Sequence, residues 1–113
     1  MSTRFHAAIL DGHKVKPCSL EEFGKWLKDM GRAKEPPGPR HVGWFKEGDI
    51  CVSTVFLGMN HQRGDGPPLW FETMIFGGPH DESQRRCSTW KQAEKQHERA
   101  VALATRKAND EPD

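Results

Sequence analysis

Short apolar runs separated by turn residues, and two stretches in which apolar positions recur at three- and four-residue steps, set out the elements of the chain. Phe5 to Leu10 is apolar, Asp11-Gly12 follows, and Val15 lies between lysines. An Asp-Gly pair between strand-like runs predicts a hairpin over about residues 4–17, turning through a type I′ turn whose positive φ glycine can adopt. Pro17 is expected to end its second strand. Ser19-Leu-Glu-Glu22 then has the form of a capping box, so a helix is expected from Leu20. Leu20, Phe23, Trp26, Leu27 and Met30 fall on one face of it, and Glu21, Lys25, Lys28 and Asp29 on the other. Gly31 sits where a left-handed C-cap belongs.

Residues 31–40 carry three prolines and two glycines, which neither helix nor central strand tolerates, and form a loop. Val42 to Phe45 is a short strand, Glu47-Gly-Asp49 a turn, and Ile50 to Met59 a longer strand. Cys51, Val55 and Leu57 interleave with Ile50, Val52 and Phe56, so both faces of this strand are apolar and it is expected to be central. The polar segment Asn60 to Pro68 links it to a strand over Leu69 to Phe76, in which Glu72 is the sole charge. Gly77-Gly-Pro79 breaks that strand, and a polar loop leads to Thr89 and Gln92, a second capping box. Trp90, Ala93, His97, Ala100, Val101 and Ala104 share one face of the helix that follows. The expected fold is therefore α+β in the order ββαβββα, an antiparallel sheet with two amphipathic helices packed on it. Residues 1–105 make a single domain, and residues 106–113 a disordered polar tail.

Composition limits function more than it identifies it. The 113 residues include four Trp and six Phe, enough large rings to build one small core without a staple. Seventeen basic and sixteen acidic side chains leave a formal charge of +1, which argues against affinity gained by neutralising phosphates and so against direct nucleic-acid binding. No apolar run reaches the length of a membrane span, and the amino terminus has no secretory pattern, so a cytoplasmic protein is expected. Cys18, Cys51 and Cys87 are odd in number and widely spaced, as free thiols are, with Cys51 read as a core residue. No cofactor motif is present, and Gly64-Asp-Gly-Pro-Pro68 lacks the lysine and helix start of a phosphate loop.

The residues Val52-Ser-Thr-Val-Phe-Leu-Gly58, His61, Gly66-Pro-Pro-Leu69, Phe71-Glu-Thr-Met74, Phe76, Ser88-Thr-Trp90, Ala93 and His97 resemble a group of short, uncharacterised proteins of bacteriophages, prophages and bacterial genomes. The likeness covers about residues 50–104 well and the opening hairpin and first helix more loosely. It implies a mobile-element origin and carries no assigned activity. By analogy of size and origin it implies a small non-enzymatic protein that binds and inhibits or modulates a host protein, as anti-CRISPR proteins act on a defence system.

Three sharper chemistries compete with that expectation. His61, Glu72, His80 and Asp81 offer metal-ligating atoms, but at the spacing of no ligand motif, and a structural glutamate paired with an arginine or a neighbouring strand is the simpler reading. Glu72, among rings and with His61 as partner, is the centre of the alternative function, a small hydrolase or nucleotide-ligand-binding protein. Cys51 or Cys87 with a histidine would need an exposed thiolate. The expected binding residues are Asn60, His61, Gln62, Arg63 and Asp65 in the loop, together with Glu72, because loops on a rigid scaffold commonly carry function.

Overall fold

The computed structural model describes residues 7–30, 37–60 and 66–105. Its opening hairpin pairs β1 (Ala7–Asp11) with β2 (Lys14–Cys18), and Asp11 faces Lys14 as the closing pair. The turn residues are therefore Gly12 and His13, one position later than Asp11-Gly12. Gly12 has φ +62° and His13 has no positive φ, the requirement of a type II′ turn rather than type I′. Pro17 does not end β2: it lies opposite Ala8 inside the strand, on an edge where a missing amide costs no ladder bond.

Helix α1 (Leu20–Met30) starts where its cap predicts. The Glu22 amide donates to Ser19 Oγ at 3.1 Å, and the Ser19 hydroxyl donates to the Glu22 carboxylate at 3.2 Å. Phe23 is buried against Ala7 and Cys18, with Trp26 and Leu27 beside it. Leu20, expected on the apolar face, is 60% exposed, because at the first helical position it overhangs the end of that face. Gly31 lies outside the described residues.

The main sheet has four antiparallel strands in the order β3 (His41–Glu47), β4 (Ile50–Phe56), β5 (Phe71–Phe76) and β6 (Gln84–Cys87). As expected, β4 is central. It stops at Phe56 rather than Met59, and the chain beyond it turns to the hairpin, where the Ala8 amide donates to the Gly58 carbonyl at 2.9 Å and Met59 bridges Ala7. Strand β6 lies in what reads as a polar loop. Gln84-Arg-Arg-Cys87 has no apolar alternation, and an edge strand needs none, since backbone pairing to β5 forms it and exposed charge protects its free edge. The α+β class holds, with six strands in two sheets among the described residues, in the order ββαββββα.

Helix α2 (Trp90–Ala104) carries the full Thr89–Gln92 capping box and packs on β3, β4 and β5. Its amino-terminal half closes a cluster containing Ala8, Phe56, Trp70, Phe71, Cys87 and Ala93, and its carboxy-terminal half closes one on Val52, Ile75 and Ala104. Both helical tryptophans are partly buried against the first cluster. Trp26 meets Phe56 edge-on at 5.7 Å between centroids, and Trp90 meets Phe71 edge-on at 6.2 Å while its other face stacks on His13 at 3.9 Å. The polar tail, residues 106–113, lies outside the described residues.

Because Trp26 joins α1 to the Phe56 cluster while remaining partly exposed, Trp26→Ala is expected to cost about 3 kcal/mol, the low end of the range for truncating a large aromatic. Chemical denaturation measures this, and a loss under about 1 kcal/mol would show that α1 is held without that ring.

Candidate functional site

Side chains on a strand alternate between faces, so the seating of α2 sorts the main sheet into two surfaces. Val52, Thr54 and Phe56 of β4 and Phe71, Thr73 and Ile75 of β5 are buried on the side toward α2. Two of the six are threonines, and a buried hydroxyl needs a partner. Thr54 Oγ1 lies 2.8 Å from Thr73 Oγ1 and 2.7 Å from His97 Nδ1, so the three side chains satisfy one another beneath the helix. Burial lowers the His97 pKa, the neighbouring His41 adds to this, and Glu98 opposes it. His97 Nδ1, Thr54 and Thr73 thus form one hydrogen-bonded chain, whose direction is set by the imidazole tautomer.

Gly43 makes room for this arrangement. A Cβ there would stand 2.5 Å from the His97 ring, closer than real Cβ atoms approach. The register between β3 and β4 shifts between His41 and Gly43, and the extra residue, Val42, packs into the core. A glycine inside a strand pattern was the available signal for this close approach, as was His97 among the apolar positions of the second helix.

The opposite face of the main sheet has no described element over it. Its side chains run in rows across the strands: Trp44, Ser53, Met74 and Gln84; Lys46, Cys51 and Phe76; His41, Val55, Glu72 and Arg86. Trp44, Val55 and Met74 are partly buried by their neighbours, and Phe76 is 43% exposed. His41 Nδ1 accepts the Gly38 amide at 2.8 Å, which directs its Nε2 hydrogen to Ser53 Oγ at 3.3 Å. Burial holds this imidazole below its ordinary pKa, and Arg40 acts in the same direction.

Glu72 belongs to this open face. Its Oε2 accepts from Arg86 Nε at 2.9 Å and from the Gln84 side-chain amide. The carboxylate thus ties β5 to the edge strand, the simpler of the two readings its sequence context allows. Asn60 Oδ1 accepts the Leu69 amide at 3.2 Å and so anchors the base of the following loop. His61, Gln62, Arg63 and Asp65 lie outside the described residues. Asp81 accepts the Gly77 amide at 2.7 Å in the β5–β6 turn, and the described residues hold no group of three or more His, Cys, Asp or Glu placed to share a metal.

The thiols are correspondingly quiet. Cys18 and Cys87 are buried, whereas Cys51, expected in the core, is partly exposed on the open face. Burial raises all three pKa values, that of Cys87 to about 11, so each is held as the thiol rather than the nucleophilic thiolate. A cleft of about 490 Å³ opens on the α2 side, between that helix and β5–β6, and Glu72 is not among its lining residues. Comparison with protein-family models, with curated proteins and with solved structures gave no match.

Gly43→Ala is expected to destabilise the chain by about 1–3 kcal/mol, the usual cost of overpacking, because the new methyl group displaces His97 from Thr54. Thermal melts of Gly43→Ala alone and combined with His97→Ala test this: the double variant should recover part of the loss, and strict additivity would show that the two residues do not meet.

The depressed His97 pKa fixes the sign of a pH effect. An unfolded histidine titrates near 6.5 and the folded one lower, so between those values the unfolded state binds more protons. The contribution is present above 6.5 and lost as pH falls through the folded value. The melting temperature should fall as the pH drops below about 6.5, and His97→Gln should flatten the part of the slope that His41, shifted the same way, does not supply.

Proposed function

We propose that this chain is a non-enzymatic binding protein of phage or prophage type, which grips a host protein through the open face of its four-stranded sheet and inhibits or modulates it. The supporting observation is that face itself: Trp44, Val55, Met74 and Phe76 form an apolar area around a satisfied Glu72–Arg86–Gln84 cluster, with no described layer over it. An open sheet face of this kind suits a protein partner, since small ligands favour concavities that enclose them. Aromatic residues, methionine and arginine are the types that anchor such contacts, and Trp44, Met74, Phe76 and Arg86 supply them.

The nearly balanced net charge points the same way, toward protein rather than nucleic acid. Among the described residues no helix is long and apolar enough to cross a membrane. Action in the host cytoplasm and a defence component as target agree with the resemblance to short phage proteins. The loop carrying His61, Gln62, Arg63 and Asp65 is a second expected contact, reached from the same strand pair. Glu72, with its carboxylate engaged by Arg86 and Gln84, serves here as a rigid part of the surface rather than as an acid or base.

The experiment compares the unmodified chain with Trp44→Ser/Met74→Lys in a bacterial host, by affinity purification followed by titration of the recovered partner. Both side chains stand on the face away from α2 and are partly buried there, so the variant should melt cooperatively but below the parent, and binding is compared well below its transition. Its affinity should fall at least ~30-fold, as expected when two interface anchors are lost. Undiminished binding by a folded variant would remove this face and leave the 61–65 loop as the contact. A parent that elutes as a dimer, and a variant that elutes as a monomer, would identify the occupant as a second copy.

A further inference from the structure

The cleft on the α2 side has chemistry that the proposed protein-binding face does not use. Arg85 of β6 is in register with Thr73 and shares its face, while Arg99 comes from α2 on the facing wall. Two arginines thus line one space of about 490 Å³, a volume within the ordinary range of small-ligand sites. Neither has an ion pair among the described residues, whereas the adjacent Arg86 is paired to Glu72 on the other face. Like charges facing a shared cavity repel one another, and an anion placed between them turns that repulsion into two charge-assisted contacts.

Gln96 lines the same space from α2, and its Nε2 donates to the Arg86 carbonyl at 3.3 Å, which ties the helix to β6 beside the cleft. The Ser83 hydroxyl lies on the same lining, and Ile75, Ala100 and Leu103 give it an apolar side.

We propose that this cleft binds a small organic oxyanion, a phosphate monoester or carboxylate on a compact apolar body. Arg85 and Arg99 hold the anionic oxygens, and the apolar body rests on Ala100 and Leu103. The site is separate from the open face, so the failure of one reading leaves the other standing.

The test is a titration of the isotope-labelled chain, at low ionic strength, with phenyl phosphate, with mandelate and with neutral benzyl alcohol, following backbone amide shifts. At least one anion should give saturable shifts at Thr73, Ser83, Arg85, Gln96 and Arg99, and benzyl alcohol at the same concentration should not. The more effective anion separates the phosphate source from the carboxylate. Arg85→Gln and Arg99→Gln, both at exposed positions, should each weaken binding at least ~10-fold, and Lys46→Gln on the opposite face should leave it unchanged. Absence of saturable shifts with both anions, or equal affinity in the arginine variants and the parent, would overturn the proposal.

Discussion

Close contact between α2 and the sheet depends on a polar chain rather than on apolar packing alone. Thr54, Thr73 and His97 meet at hydrogen-bond distance under the helix, and the helix can descend that far only because Gly43 presents no side chain. Buried hydroxyls and an imidazole are costly unless paired, so the three groups specify one depth and one rotation of α2. Slippage by one helical residue would carry His97 away from Thr54 and leave two hydroxyls on the apolar face with one partner fewer. The bulge at Val42 completes the fit by adding an aliphatic side chain to the core while keeping Gly43 under the ring.

One helix cannot cover a sheet on both sides, and α1 lies with the hairpin. The consequence is a sheet whose two faces have different tasks. The face under α2 is filled by the core near Phe56 and Phe71, and by Val52 and Ile75 further along, with the cleft at the β5–β6 margin where the helix no longer closes against the edge strand. The other face keeps its rings and methionine half exposed, and spends its one carboxylate on holding the edge strand in place. Alternation along β6 divides the arginines accordingly: Arg86 turns to Glu72 and Arg85 to the cleft.

Much of this was legible from local signals. Both helix starts follow from Ser19 and Thr89, because a cap is decided within four residues. The central place of β4 follows from apolar residues at odd and even positions alike. What escaped was set by distant parts of the chain. Strand β6 owes its existence to β5, and Gln84-Arg85-Arg86 has no pattern of its own to announce it. Cys51 and Cys87 differ in burial by the face each strand turns to α2, a fact of packing, and Leu20 lies at the end of a stripe whose reach is limited by the hairpin. Within the candidate site, Glu72 was visible as the lone charge of its strand, but its role depended on which residues an unrecognised β6 placed beside it. The Arg85–Arg99 cleft was invisible for the same reason, since it needs both that strand and the position of α2.

The separation of the two faces has a further energetic meaning. A ligand in the cleft touches β5, β6 and the outer turns of α2, and a partner on the open face touches β3, β4, β5 and Arg86 of β6, so β5 and β6 are the elements they share. Coupling between two sites requires an element with two arrangements that both ligands bias. Strand β5 is fixed on one side by the Thr73–Thr54–His97 chain and on the other by Glu72 to Arg86, and such double anchorage leaves it little room for a second arrangement. A ligand in the cleft and a partner on the open face would on this account bind without coupling, because β6 in turn is held to β5 by its ladder and to α2 by Gln96 on the Arg86 carbonyl.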